Sequence, residues 1–84
     1  MEIKLYKDKK LDDCNSWPIW TCKPSEFEWE YSEEEHCYII EGSVTVESEQ
    51  GTVSIERGDY VIFPKGLKCH WTVHKYVKKH YTLK

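Results

Sequence analysis

The chain lacks any apolar run near the roughly 18 residues that a membrane-spanning helix needs, and its opening segment, Met1 to Asp8, lacks the apolar centre of a signal peptide. Both absences lead us to expect a cytoplasmic protein with no membrane partner. A basic excess is missing as well. The formal charge is −3, with acidic and basic residues mixed through most of the 84 positions, so nothing draws the protein to phosphate backbones and nucleic acid is not expected as a partner. Cys14, Cys22, Cys37 and Cys69 show no C-x-x-C spacing, which excludes a zinc ribbon and a local redox motif; in a reducing compartment they are expected as free thiols. Sustained helical spacing, internal repeats, low-complexity tracts and linkers are all absent.

What remains is a strand pattern. From Trp17 onward, short alternating runs are interrupted by turn residues about every 8 to 12 positions, the rhythm of a sandwich or barrel. Strands are predicted near Ile3–Lys7, Pro18–Lys23, Glu26–Tyr31, Glu35–Glu41, Val44–Glu47, Thr52–Glu56, Tyr60–Pro64, Leu67–His74 and Val77–Leu83. Glu49-Gln50-Gly51, Arg57-Gly58-Asp59 and Pro64-Lys65-Gly66 supply the reversals, and Asp8 to Asp13 is expected as a loop or short helical turn. The reading is one all-β domain over residues 1–84, with an N-terminal strand and loop over 1–16 and the barrel over 17–83. So small a domain has a marginal core, and a homodimer is expected on that ground. Composition shifts once, from a Glu-rich stretch (Glu26 to Glu35) to a Lys/His-rich end (His74 to Lys84). Solvated strand faces account for this, with pairing across strands or across a dimer as the alternative.

Alternation assigns faces: Phe27, Trp29 and Tyr31 share one side, Glu35, Cys37 and Ile39 share one, and Leu67, Cys69, Trp71 and Val73 share one. Glu35 is then an acid among apolar neighbours. A buried carboxylate is paired, hydrogen-bonded or functional, because an isolated one is costly.

These segments match two sequence patterns. One runs glycine, five residues, His-x-His, three or four residues, Glu, six residues, glycine; Glu35 and Gly42 fit it, and Tyr38 to Gly42 resembles its usual Tyr-Val-Leu-Glu-Gly ending. The other runs glycine, five residues, Pro-x-Gly, two residues, His, three residues, Asn; Gly58, Pro64 and Gly66 fit it. On these residues the chain resembles a cupin from roughly Trp17 to Tyr81. Through Glu35-x-Cys37-Tyr38, Cys69-x-Trp71 and Val77 to Tyr81 it is similar to very small cupins grouped by sequence with the cupin domains of (S)-ureidoglycine aminohydrolase. The resemblance implies a jelly-roll-like β-barrel with an interior site. The family's metal ligands are mostly replaced: Trp29 and Tyr31 stand at the His-x-His positions and Cys69 at the later histidine, while Glu35 is retained. Lys23 stands for the first glycine and Val73 for the asparagine.

The expected site therefore pairs Glu35 and Cys69 as catalytic candidates with Trp29, Tyr31, Cys37, Trp71 and His80 as substrate-binding residues. No metal and no other cofactor is expected; a metal on Glu35 and Cys69 would need a third ligand from Cys37, Tyr31 or His80. Apolar walls would raise the Glu35 pKa and suit it to proton transfer, unless Tyr31, a lysine or a backbone amide ties it down. Covalent catalysis by Cys69 is disfavoured, because Glu35 opposes thiolate formation and His70 points to the opposite strand face. On the last strand, Lys79 and His80 compete for the inward place, since a bulge near Lys75 and Tyr76 could flip it. The expected function is binding or turnover of a small polar metabolite. The alternatives are a non-catalytic sensing or structural cupin, and a metal-dependent hydrolase or oxygenase related to ureidoglycine aminohydrolase.

Overall fold

The computed structural model describes residues 2–7 and 16–84. The expected loop over Asp8 to Asp13, and Cys14, lie outside the described residues. The architecture is β throughout: β1 (Lys4–Tyr6), β2 (Ile19–Cys22), β3 (Ser25–Glu30), β4 (Glu35–Ser48), β5 (Gly51–Glu56), β6 (Tyr60–Phe63) and β7 (Lys68–Leu83), all paired antiparallel.

Two long strands carry the topology. β4 and β7 pair along almost their whole lengths, from Glu35 opposite Leu83 to Ser48 opposite Cys69. Around the first half of β4 and the second half of β7 lie β1, β6 and β2; around the other halves lie β5 and β3. The sheet thus has two limbs that share β4 and β7 and fold over each other. Rings from opposite limbs meet in the core: Phe63 on β6 lies 5.7 Å from Trp71 on β7, and Trp20 on β2 lies 6.0 Å from the same Trp71. Cys37, Ile39, Val44, Val46, Ile55, Val61, Phe63 and Val77 fill the interior and are essentially inaccessible.

The expected break between Glu41 and Val44, and that between His74 and Val77, are bends within continuous strands rather than gaps. The register slips between Ile39 and Val44, and Gly42 sits in the bend at φ +102°. There the backbone of β7 comes so close that a Cβ on Gly42 would collide with the Tyr76 carbonyl and stand 2.7 Å from the Val77 Cα. Only glycine meets both demands.

This corner changes the parity of one strand and not the other. On β4 the buried residues are odd-numbered before the bend (Glu35, Cys37, Ile39) and even-numbered after it (Val44, Val46). On β7 the core-facing residues stay odd from Cys69, Trp71 and Val73 to Val77 and Lys79, while His80, also buried, turns to the Trp17 carbonyl. The flip expected near Lys75 and Tyr76 falls instead on β4, and so Lys79, not His80, points inward.

Two polar clusters pin the outside. Asp59 Oδ2 accepts from the Glu56 backbone N–H at 2.9 Å and from Lys7 Nζ at 3.1 Å, tying β1 to the turn before β6. His70 lies between Glu28 (Nδ1 to Oε1, 2.5 Å) and Glu26 (Nε2 to Oε1, 3.2 Å). The hydrogen bond to Glu28, then that to Glu26, raises its pKa. A raised imidazole pKa stabilises the fold below the unfolded value of about 6.5 and stops doing so as pH climbs through the folded value.

Two outcomes are expected. In urea unfolding, G42A should lose clearly more stability than G58A: both glycines have positive φ, costing about 1–2 kcal/mol for a side chain, but a Cβ at Gly58 meets nothing within 4 Å. Equal losses would remove the close approach as the reason for Gly42. Separately, the melting-temperature advantage of the native chain over H70Q should be present near pH 6 and shrink toward about pH 9; an advantage that grows with pH contradicts the Glu26–His70–Glu28 account.

Candidate functional site

A cavity of about 260 Å³ opens between the two limbs. One limb contributes Trp20 from β2, Glu35 from β4, and Lys79, Tyr81 and Leu83 from β7; the other contributes Phe27 and Trp29 from β3 and Trp71 from β7, with Tyr31 between them. Tyr31 is held there by its backbone, which donates to Leu67 O at 2.9 Å and accepts from Gly66 N–H at 2.6 Å. Its ring stacks on Phe63 at 4.8 Å. Trp29, 52% exposed, and Leu83, 50% exposed, form the rim.

The polar feature on this aromatic wall is an ion pair. Lys79 Nζ donates to Glu35 Oε2 at 2.5 Å, and the two side chains are only 6% and 10% exposed. In register, Glu35 faces Leu83 and Ile39 faces Lys79, so the lysine chain runs back over Tyr81 and Cys37 to reach the carboxylate. The ammonium lies 4.8 Å from the Trp71 ring centroid and 4.9 Å from that of Trp20, within range of attraction to both ring faces. The carboxylate is therefore tied by a lysine, one of the alternatives the sequence left open.

The expected site residues divide. Glu35, Trp29, Tyr31 and Trp71 line the cavity; Cys37, Cys69 and His80 do not. Cys37 lies behind the ion pair and is fully buried. Burial pushes its thiol up to about 12, with the Glu35 charge and a hydrogen bond to Glu35 acting in the same direction and Lys79 opposing them. Cys69 Sγ turns to the Trp29 carbonyl at 3.7 Å, and burial raises its pKa too. Neither thiol is poised as a nucleophile. His80 faces away from the cavity, its Nδ1 donating to the Trp17 carbonyl at 3.1 Å, because β7 keeps its parity through the corner. Tyr31 is also raised, mainly by burial and then by the Glu35 charge. Among the described residues Trp71 Nε1 is the buried side-chain polar atom without a hydrogen-bond partner.

Sequence reasoning missed Trp20, Phe27, Tyr81 and Leu83 as cavity residues, and named Lys79 only as a competitor of His80. The alternation Val77, Lys79, Tyr81, Leu83 was a usable signal, had the parity of β7 been known.

A metal does not fit this site. The retained Glu35 is already neutralised by an ammonium in direct contact, which repels a second cation. Trp29 and Tyr31 stand where the family pattern has imidazoles, the Cys69 thiol, its pKa raised by burial, is turned elsewhere, and no three His, Cys, Asp or Glu side chains converge among the described residues.

Comparison with known proteins agrees with the fold. The family model for the EutQ-like cupin domain matches residues 9–81. The crystal structure of a DUF861 family protein from Thermotoga maritima superposes with a TM-score of 0.93 at 48% identity, covering 99% of this chain and 100% of that one. A DUF861 family protein of unknown function from Pseudomonas syringae matches at TM-score 0.71 and 31% identity over 79% of this chain, but only 29% of its own. The EutQ protein of Clostridium difficile, at 22% identity and TM-score 0.72 over 96% of this chain and 66% of its own, shares the fold. No curated protein matches the sequence.

Removing one partner of a buried pair strands the other's charge, at a cost of about 3–5 kcal/mol. K79M should lose stability on that scale in urea unfolding, and E35Q/K79M should recover most of it. A double variant as unstable as K79M would mean that the lysine stem's packing, not the charge, matters.

Proposed function

The chain belongs to the EutQ-like cupin domain family, and we propose that it binds a small amphipathic molecule in a metal-free cupin pocket anchored by the Glu35–Lys79 pair. The observation that carries this reading is the position of the pair: two opposite charges stand on the wall of an aromatic cavity that opens to solvent. Well-packed apolar residues of similar volume are often as stabilising as a buried ion pair or more so. A pair kept at a cavity is thus better explained by what enters the cavity.

The lining describes the ligand. Seven of the nine cavity residues are aromatic or aliphatic, namely all but Glu35 and Lys79, which favours a ligand with an apolar or planar body beside the polar group expected from sequence. The pair supplies ammonium donors and carboxylate acceptors, so one polar group on the ligand is satisfied at the inner end. At about 260 Å³ the cavity falls just below the usual range of roughly 300–1,000 Å³ for ligand sites, and a molecule of about ten non-hydrogen atoms suits it.

Titrating tryptophan fluorescence with small aromatic ketones, amides and alcohols is expected to show saturable binding for at least one class, with Kd near 0.1–1 mM (order of magnitude). W29A should weaken that binding about tenfold with little change in stability, since Trp29 is a half-exposed rim residue. Should no compound bind, or should W29A bind as the native chain does, the pocket reading is lost.

A further inference from the structure

We propose that Glu35 and Lys79 act together as a proton-transfer pair on an uncharged ketone or its enol, moving the hydrogen on the carbon next to the carbonyl. The proposal rests on the pocket reading above and adds a reaction and a substrate class to it.

A base and a cationic donor in direct contact, 2.5 Å apart, share one spot on the cavity wall. A carbonyl oxygen and the hydrogen on the adjacent carbon are held by neighbouring atoms, so a single small molecule presents an acceptor and an acidic hydrogen to that spot together. The Glu35 carboxylate takes the α-hydrogen as a proton. The C–H electron pair forms a carbon–carbon double bond, and the carbonyl π pair moves onto oxygen. Lys79 donates a hydrogen bond to the oxygen as it becomes anionic, where a preformed donor in apolar surroundings is most effective. Glu35, now protonated, returns the proton to carbon or delivers it to oxygen, and no oxidant or reductant is consumed.

The surroundings support each role. Trp20 and Trp71 flank the ammonium and hold it on the wall. Lys79 contacts the carboxylate through one oxygen, Oε2, leaving lone pairs for the cavity side, since a carboxylate has about four acceptor sites. The pair is neutral as a unit, so a charged ligand would bring an uncompensated charge into an apolar cavity. That selects an uncharged carbonyl compound with an aromatic or aliphatic flank over a carboxylate or an amine.

The test is α-hydrogen exchange of phenylacetone and cyclohexanone in D2O, followed by ¹H NMR with fluorescence titration of the same ketones. The native chain should accelerate exchange well above buffer. E35Q, assayed where its circular dichroism shows it folded, should still bind phenylacetone measurably and, per bound ketone, lose about 10²–10⁴-fold of the exchange rate, the usual share of general acid–base catalysis. K79R, which keeps a cation, should where folded bind the ketone and retain measurable exchange above E35Q. Ketone binding with exchange no faster than buffer overturns the proposal and leaves the pocket reading standing. Exchange that survives in E35Q belongs to surface amines and overturns it too. Failure of both ketones to bind overturns the substrate class, while binding of the amides or alcohols decides the pocket reading independently.

Discussion

The corner where β4 passes β7 is the constraint on which the rest of the molecule depends. The two strands pair over almost their full lengths, yet a flat pair of that length would enclose nothing. Bending them together brings the limbs face to face, and the bend is sharp enough that backbone replaces side chain at the contact. The register slips there, with five steps along β4 from Ile39 to Val44 against six along β7 from Lys79 to Val73, so β4 exchanges its inside and outside while β7 keeps its own. The identity of the residue facing the cavity from the end of β7 follows from this local event, at whose edge Lys79 stands opposite Ile39.

Through that parity a lysine arrives where the family's motif gathers ligands for a metal. The three substituted positions and the new cation make one consistent set. Trp29 and Tyr31 remove imidazoles and supply ring faces; Cys69 turns to a backbone carbonyl; Lys79 neutralises the glutamate that remains. A carboxylate, an ammonium and several aromatic faces are the ingredients of binding sites for small, mostly apolar molecules with one polar end.

Much of the fold was legible in the sequence, because strand alternation is a local signal. Glu35, Cys37 and Ile39 are all buried as one face, and so are Leu67, Cys69, Trp71 and Val73. The turn glycines at 51, 58 and 66 take positive φ at the predicted reversals. The site was less legible, and for a physical reason. Alternation holds only within an unbroken register, and Gly42 marks a break whose effect on each strand depends on the partner backbone. Lys79 also stands in a basic stretch with Lys75 and Lys78, which reads as solvated surface when parity is unknown. Cys37 and Cys69 lie on inward faces as alternation says, but facing inward in a packed core is not the same as reaching a cavity. Depth below the cavity wall has no signature in sequence spacing.

The lysine that meets Glu35 also changes how the site is supplied. An exchangeable ion must be acquired after folding, can be displaced by a competitor and varies with the contents of the surrounding solution. A cation built into the chain arrives with translation, at one per polypeptide, in every environment where the barrel folds. Its charge is fixed at one and its nitrogen has no second accessible oxidation state, so this residue can polarise bonds and guide protons but cannot carry electrons. Assembly of the site and folding of the protein thereby become a single event.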